Sequence, residues 1–76
     1  MLFLCRDQAA EALYPNGTRV LKDKGEPGDA TPIGTKGLVL GSISHPEMGV
    51  GYFVEWDDKP GVPIFVVERK LNAIQH

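Results

Sequence analysis

Gly51-Tyr52-Phe53-Val54-Glu55-Trp56-Asp57-Asp58 gathers the only tryptophan of the chain, one of its two tyrosines and one of its three phenylalanines. Tyr52, Val54 and Trp56 recur at every second position. A strand therefore places all three on one face and Phe53, Glu55 and Asp57 on the other. Asp57-Asp58-Lys59-Pro60-Gly61 follows, a run of turn formers that ends the strand and reverses the chain. Val62 to Val67 is a second apolar run directly after it, so the two segments read as a β-hairpin. Pro63 has no N–H to give to a ladder and belongs at the start of its strand or on an edge.

Upstream of the hairpin, Gly37-Leu38-Val39-Leu40-Gly41-Ser42-Ile43-Ser44 reads as another strand, with Gly37 and Gly41 marking a bulge or a sharp bend. His45-Pro46-Glu47-Met48-Gly49-Val50 is a short connection into the aromatic strand. Thr18 to Lys22 is a strand candidate introduced by the turn Tyr14-Pro15-Asn16-Gly17. Between these two strands runs Asp23 to Thr35, with glycines at 25, 28 and 34 and prolines at 27 and 32. That composition makes a long exposed loop with Ile33 tucked back on the core. Connections of this length are uncommon in compact domains and are often functional. Downstream, Glu68-Arg69-Lys70 reads as one helical turn and Leu71 to Ile74 as a closing strand.

The N-terminal stretch differs. Asp7-Gln8-Ala9-Ala10-Glu11-Ala12-Leu13 consists of good helix formers with Asp7 as N-cap, and predicts a two-turn helix held by tertiary contacts through Leu13. Met1 to Cys5 reads as a short apolar arm, an extra strand or the lead-in to the helix.

The order strand, long loop, strand, short loop, strand, tight turn, strand, one-turn helix, strand resembles the SH3-like small barrel. The carriers are Gly37-Leu38-Val39, Tyr52-x-Val54-x-Trp56-Asp57-Asp58 and Phe65-Val66-Val67-Glu68, and the resemblance covers Thr18 to Ile74. It implies a mostly β, five-stranded small barrel over 18–74, preceded by an arm and short helix over 1–17. In such a barrel Asp23–Thr35 looks like the long first loop. Similar barrels occur in Tudor-like and KOW-type modules, in enzyme accessory modules and in several bacterial families. The fold hosts many unrelated roles, so function has to be argued from sites.

Seventy-six residues make one domain, 1–76. A chain this short buries only about 60–65% of its unfolded surface, so its stability is small without extra burial. The single cysteine, Cys5, leaves no internal disulfide to help. A lone cysteine, an apolar arm too short for a signal-peptide core and no transmembrane-length run lead to the expectation of a cytoplasmic protein without membrane contact. The net charge is −2, with eight basic and ten acidic residues interspersed. This counts against an extended phosphate-backbone footprint.

Several groups are candidates for chemistry. Tyr52 and Trp56 suit an aromatic cage or a proline-peptide groove, but alternation puts them with Val54 on the natural core face. Ala12-Leu13-Tyr14 carries only a fragment of a peptide-groove motif. Glu55, Asp57 and Asp58 with Glu47 and His45 match no metal-loop spacing. Gly25-Glu26-Pro27-Gly28-Asp29 lacks the Gly-Lys-Ser/Thr of a phosphate loop. Cys5 has no base assigned to it. The expectation is no catalytic residue, no metal and no cofactor.

What remains are contact residues. Phe53 and Phe65, with Leu38 and Leu40, form an apolar stripe on the outward face, fit for another protein or for a homodimer unless Leu13 and Leu4 cover it. The alternative partner is nucleic acid. Lys22, Lys24 and Lys36, with Arg19, would then form a basic edge near the first loop, extended by Arg69 and Lys70.

Overall fold

The computed structural model describes residues 9–74. Five strands, β1 (Arg19–Lys22), β2 (Lys36–His45), β3 (Gly49–Trp56), β4 (Pro63–Val67) and β5 (Leu71–Ala73), form one antiparallel open sheet in the order β4-β3-β2-β1-β5. Each strand expected from the sequence is present, and Glu68–Lys70 forms the one helical turn between β4 and β5, of 3₁₀ type. Among the described residues no helix is long and apolar enough to cross a membrane.

The hairpin is organised by the alternation that announces it. Gly51 to Glu55 of β3 pair with Val67 to Pro63 of β4 in strict register. Lys59 N donates to Trp56 O at 3.0 Å and Val62 N to Lys59 O at 3.2 Å, closing the turn around Gly61, whose φ of 82° suits a residue without Cβ. Pro63 sits at the first position of an edge strand, where its missing N–H is harmless.

Tyr52, Val54 and Trp56 point inward and join Val20, Val39, Val66 and Leu71 in one buried cluster. Trp56 is 0% exposed, so it is a core residue and no cage wall. Gly37 lies opposite Trp56 in the β2–β3 ladder. A Cβ at Gly37 would come within 2.7 Å of both the Trp56 ring and Val54 Cγ1, so only glycine lets β2 pass beneath the indole. Four residues on, the register slips between Val39 and Gly41, the bulge that Gly41 signals.

The predicted helix is corrected where it can be seen. Residues 9–13 make a single turn closed by Ala12 N donating to Ala9 O at 3.1 Å, and the strand content is reached without an α-helix among the described residues. Asp7 and Gln8, like the apolar arm and Cys5, lie outside the described residues. Backbone donors of this segment go to side chains of the sheet. Ala9 N donates to Ser42 Oγ at 2.9 Å and Leu13 N to the Tyr52 hydroxyl at 3.0 Å. Two turns of helix gain too little from propensity to resist such contacts.

Candidate functional site

The outward face of the hairpin is built from the residues that alternation leaves over. Phe53 and Phe65 stand directly opposite each other on β3 and β4, with ring centroids 5.3 Å apart in an edge-to-face arrangement. The Phe65 ring lies across Gly51, where a Cβ would overlap it. Ile43 of β2 pairs with Gly51 and is exposed beside the ring. Phe65 is 37% exposed, while Phe53 and Leu38 are half-buried on the same face. The result is an apolar strip running across β2, β3 and β4.

Leu40 does not belong to it. It is 2% exposed, because the bulge inserts one residue into β2 and breaks the alternation that would set Leu40 beside Phe53. Leu13 is not a lid over the strip either, being 67% exposed. Leu4 lies outside the described residues. Ala12 and Tyr14 instead pack against the inner cluster, Tyr14 with its ring 5.4 Å from that of Tyr52. The Tyr52 hydroxyl holds this segment in place, accepting from Leu13 N and Tyr14 N while donating to Glu68 Oε2. Burial, and then the hydrogen bond to Glu68, push the Tyr52 hydroxyl up to about 12. The signal for this clamp is the tyrosine itself, since a phenol on a core face needs a polar partner.

The basic edge is largely dismantled by its own carboxylates. Lys22 is 2% exposed and is no surface contact. Its Nζ donates to Thr31 O at 2.8 Å and to Asp29 Oδ2 at 3.2 Å. Lys70 Nζ donates to both Asp29 oxygens, and Arg69 to Glu26 Oε1 at 2.8 Å. Arg19 makes a two-pronged pair with Asp57. Lys24 and Lys36 stay exposed on the surface. Asp29 gathers three of these contacts. The Glu26 backbone N–H it accepts, then Lys70 and Lys22, hold its carboxyl at about 2, below the ordinary 3.8.

These contacts order the long loop. Gly34 N donates to Lys22 O and Lys22 N to Thr35 O, both at 2.8 Å, while Asp23 N and Lys24 N donate to Lys70 O. Asp23–Thr35 is thus pinned at its base and wrapped around the Lys22 ammonium. Ile33, expected on the core, is 65% exposed and packs over Gly25.

The acidic residues near the hairpin turn are dispersed. Glu55 accepts from Gly61 N, Asp57 pairs with Arg19, and Asp58 pairs with Lys59. His45 Nδ1 accepts from Glu47 N and Met48 N, closing the β2–β3 turn. Among the described residues no group of three or more His, Cys, Asp or Glu side chains is gathered for a metal.

A pocket of about 210 Å³ lies between the first loop and β4. Lys22, Asp29, Thr31 and Lys70 line it together with Ile64 and Phe65, and Trp56 is also in its wall. Nothing in the sequence pattern marked it, because its walls come together only when the loop folds back over β4. The chain matches no family model, no curated protein and no solved structure.

Proposed function

We propose that the protein is a non-enzymatic binding module, an SH3-like small barrel over 18–74, that acts through protein–protein contacts. The strand order β4-β3-β2-β1-β5 and the 3₁₀ turn between β4 and β5 support the barrel reading. The lone cysteine suits a reducing, cytoplasmic setting. One observation carries the functional reading. Phe53 and Phe65 stack on the sheet's outward face with Ile43 and Leu38 beside them, and the N-terminal turn docks elsewhere. Apolar strips of this kind on small domains mark contact surfaces.

A second copy of the chain is the simplest occupant, since pairing two such faces adds the burial that a chain of this size lacks. The nucleic-acid alternative is weakened because Lys22 is buried and Arg19, Arg69 and Lys70 are engaged by carboxylates. Light scattering across protein concentration, at low and high salt, tests the proposal. A dimer that persists at high salt is the expected result. The mass of a single chain at every concentration, or a dimer that salt dissolves, would overturn self-association through this face.

A further inference from the structure

Two residues that line the pocket between the first loop and β4 carry polar atoms without a partner among the described residues. Trp56 Nε1 and Thr31 Oγ1 are buried without any hydrogen bond, the only such side-chain atoms among the described residues. Both residues line the pocket and both are more than nine-tenths buried. Buried polar groups are ordinarily paired, and leaving one unpaired is costly. Lys22 Nζ, in the same wall, has two acceptors for its three protons.

Chemistry narrows what would fill the space. An indole N–H only donates, an ammonium only donates, and the threonine hydroxyl is able to donate, so the occupant has to present acceptor atoms. Two ammonium groups, Lys22 and Lys70, face one carboxylate, Asp29, in the lining, while Glu26, 3.7 Å from Lys70 Nζ, is shared with Arg69 outside it. The apolar part of the lining runs from Ile64, Phe65 and Val66 to Met48. A volume near 210 Å³ has room for a small organic acid.

We propose that this pocket binds a carboxylate carried on a small apolar body, either a free acid or the C-terminal end of a peptide, through Trp56 Nε1, Thr31 Oγ1 and Lys22 Nζ. Phe65 also lines the pocket, so the site adjoins the Phe53–Phe65 contact proposed above, but it does not rest on that contact.

The single tryptophan makes the test direct, because its indole N–H gives one resonance. The full chain, ¹⁵N-labelled, is titrated with phenylacetate and separately with a short peptide ending in a free C-terminal phenylalanine. Phenylacetamide and the amidated peptide serve as uncharged counterparts. A saturable shift of the indole N–H is expected, with half-saturation near about 1 mM or below for at least one acid, and roughly tenfold weaker binding of its amide. Whichever acid binds identifies the source of the carboxylate. Thr31→Val should weaken binding about two- to tenfold. It should melt no lower than the parent, because it deletes an unpaired hydroxyl. No saturable shift with either acid, amides that bind as well as acids, or parent-like binding by Thr31→Val would each overturn the proposal.

Discussion

The two faces of strand β3 share a construction and differ in outcome. On the inner face Trp56 rests over Gly37, a glycine of the neighbouring strand, and nothing of the indole reaches solvent. On the outer face Phe65 rests over Gly51 of β3 itself, and more than a third of it stays exposed. In both cases an aromatic ring lies on a glycine, where a Cβ would collide. What separates them is the second layer. The inner ring is enclosed by Val20, Val39, Val66 and Leu71, with the Tyr14 segment clamped over the same cluster, whereas the outer ring has Phe53 and Ile43 beside it and stays 37% exposed. A glycine seat therefore sets where a ring lies. Only the covering layer makes the ring a core residue.

This contrast predicts graded effects. Trp56→Ala should cost about 3–5 kcal/mol, enough to abolish a cooperative melt in a domain this small. A cooperative transition at the parent midpoint would return Trp56 to the surface. Gly37→Ala comes next, at about 1–3 kcal/mol or above, since the new methyl meets Trp56, Val54 and the Glu55 carbonyl inside a closed core. Gly51→Ala should cost less than Gly37→Ala, because Phe65 can swing outward from an open face. Urea midpoints for the two glycine variants check the order, and a larger loss at Gly51 would mean that Phe65 is locked in place.

The smallest effect concerns acid. Asp29 has a folded value of about 2 against an ordinary 3.8, so its contribution to stability is complete above about pH 4 and fades as pH falls toward 2. Asp29→Asn should lower the urea midpoint at neutral pH and flatten its decline across that acid window. An unchanged slope would show that the carboxylate pinning the first loop adds nothing to folding.

How far the sequence reveals this molecule depends on the range of the forces involved. The five strands, the hairpin turn and the 3₁₀ turn follow from alternation, glycine and proline placement, all of which act over a few residues. Trp56 and Tyr52 as core residues follow from the same alternation. Leu40 escapes that logic because a bulge shifts the phase of β2 by one residue, and Gly41 signals the bulge without saying which neighbour it buries. Lys22 escapes for another reason. Lysine is ordinarily a surface residue, and its burial depends on Asp29 and Thr31 returning to it across a folded loop. The N-terminal stretch has helix formers in the right order, yet the Tyr52 hydroxyl and Ser42 take its backbone donors from more than thirty residues away. The Phe53–Phe65 pair was legible as outward-facing residues. The pocket behind the first loop was not, since its walls are far apart in the chain.

The division between a sealed inner face and an open outer one is tested most directly by Phe65→Ser, measured for thermal stability and for solution mass on the same sample. Loss of about 1–2 kcal/mol, with the fold retained and the dimer reduced to single chains, is the expected result. A variant that fails to fold, as Trp56→Ala should, would show that Phe65 is core. A folded variant with the parent's mass would show that the outward face makes no contact with a second chain.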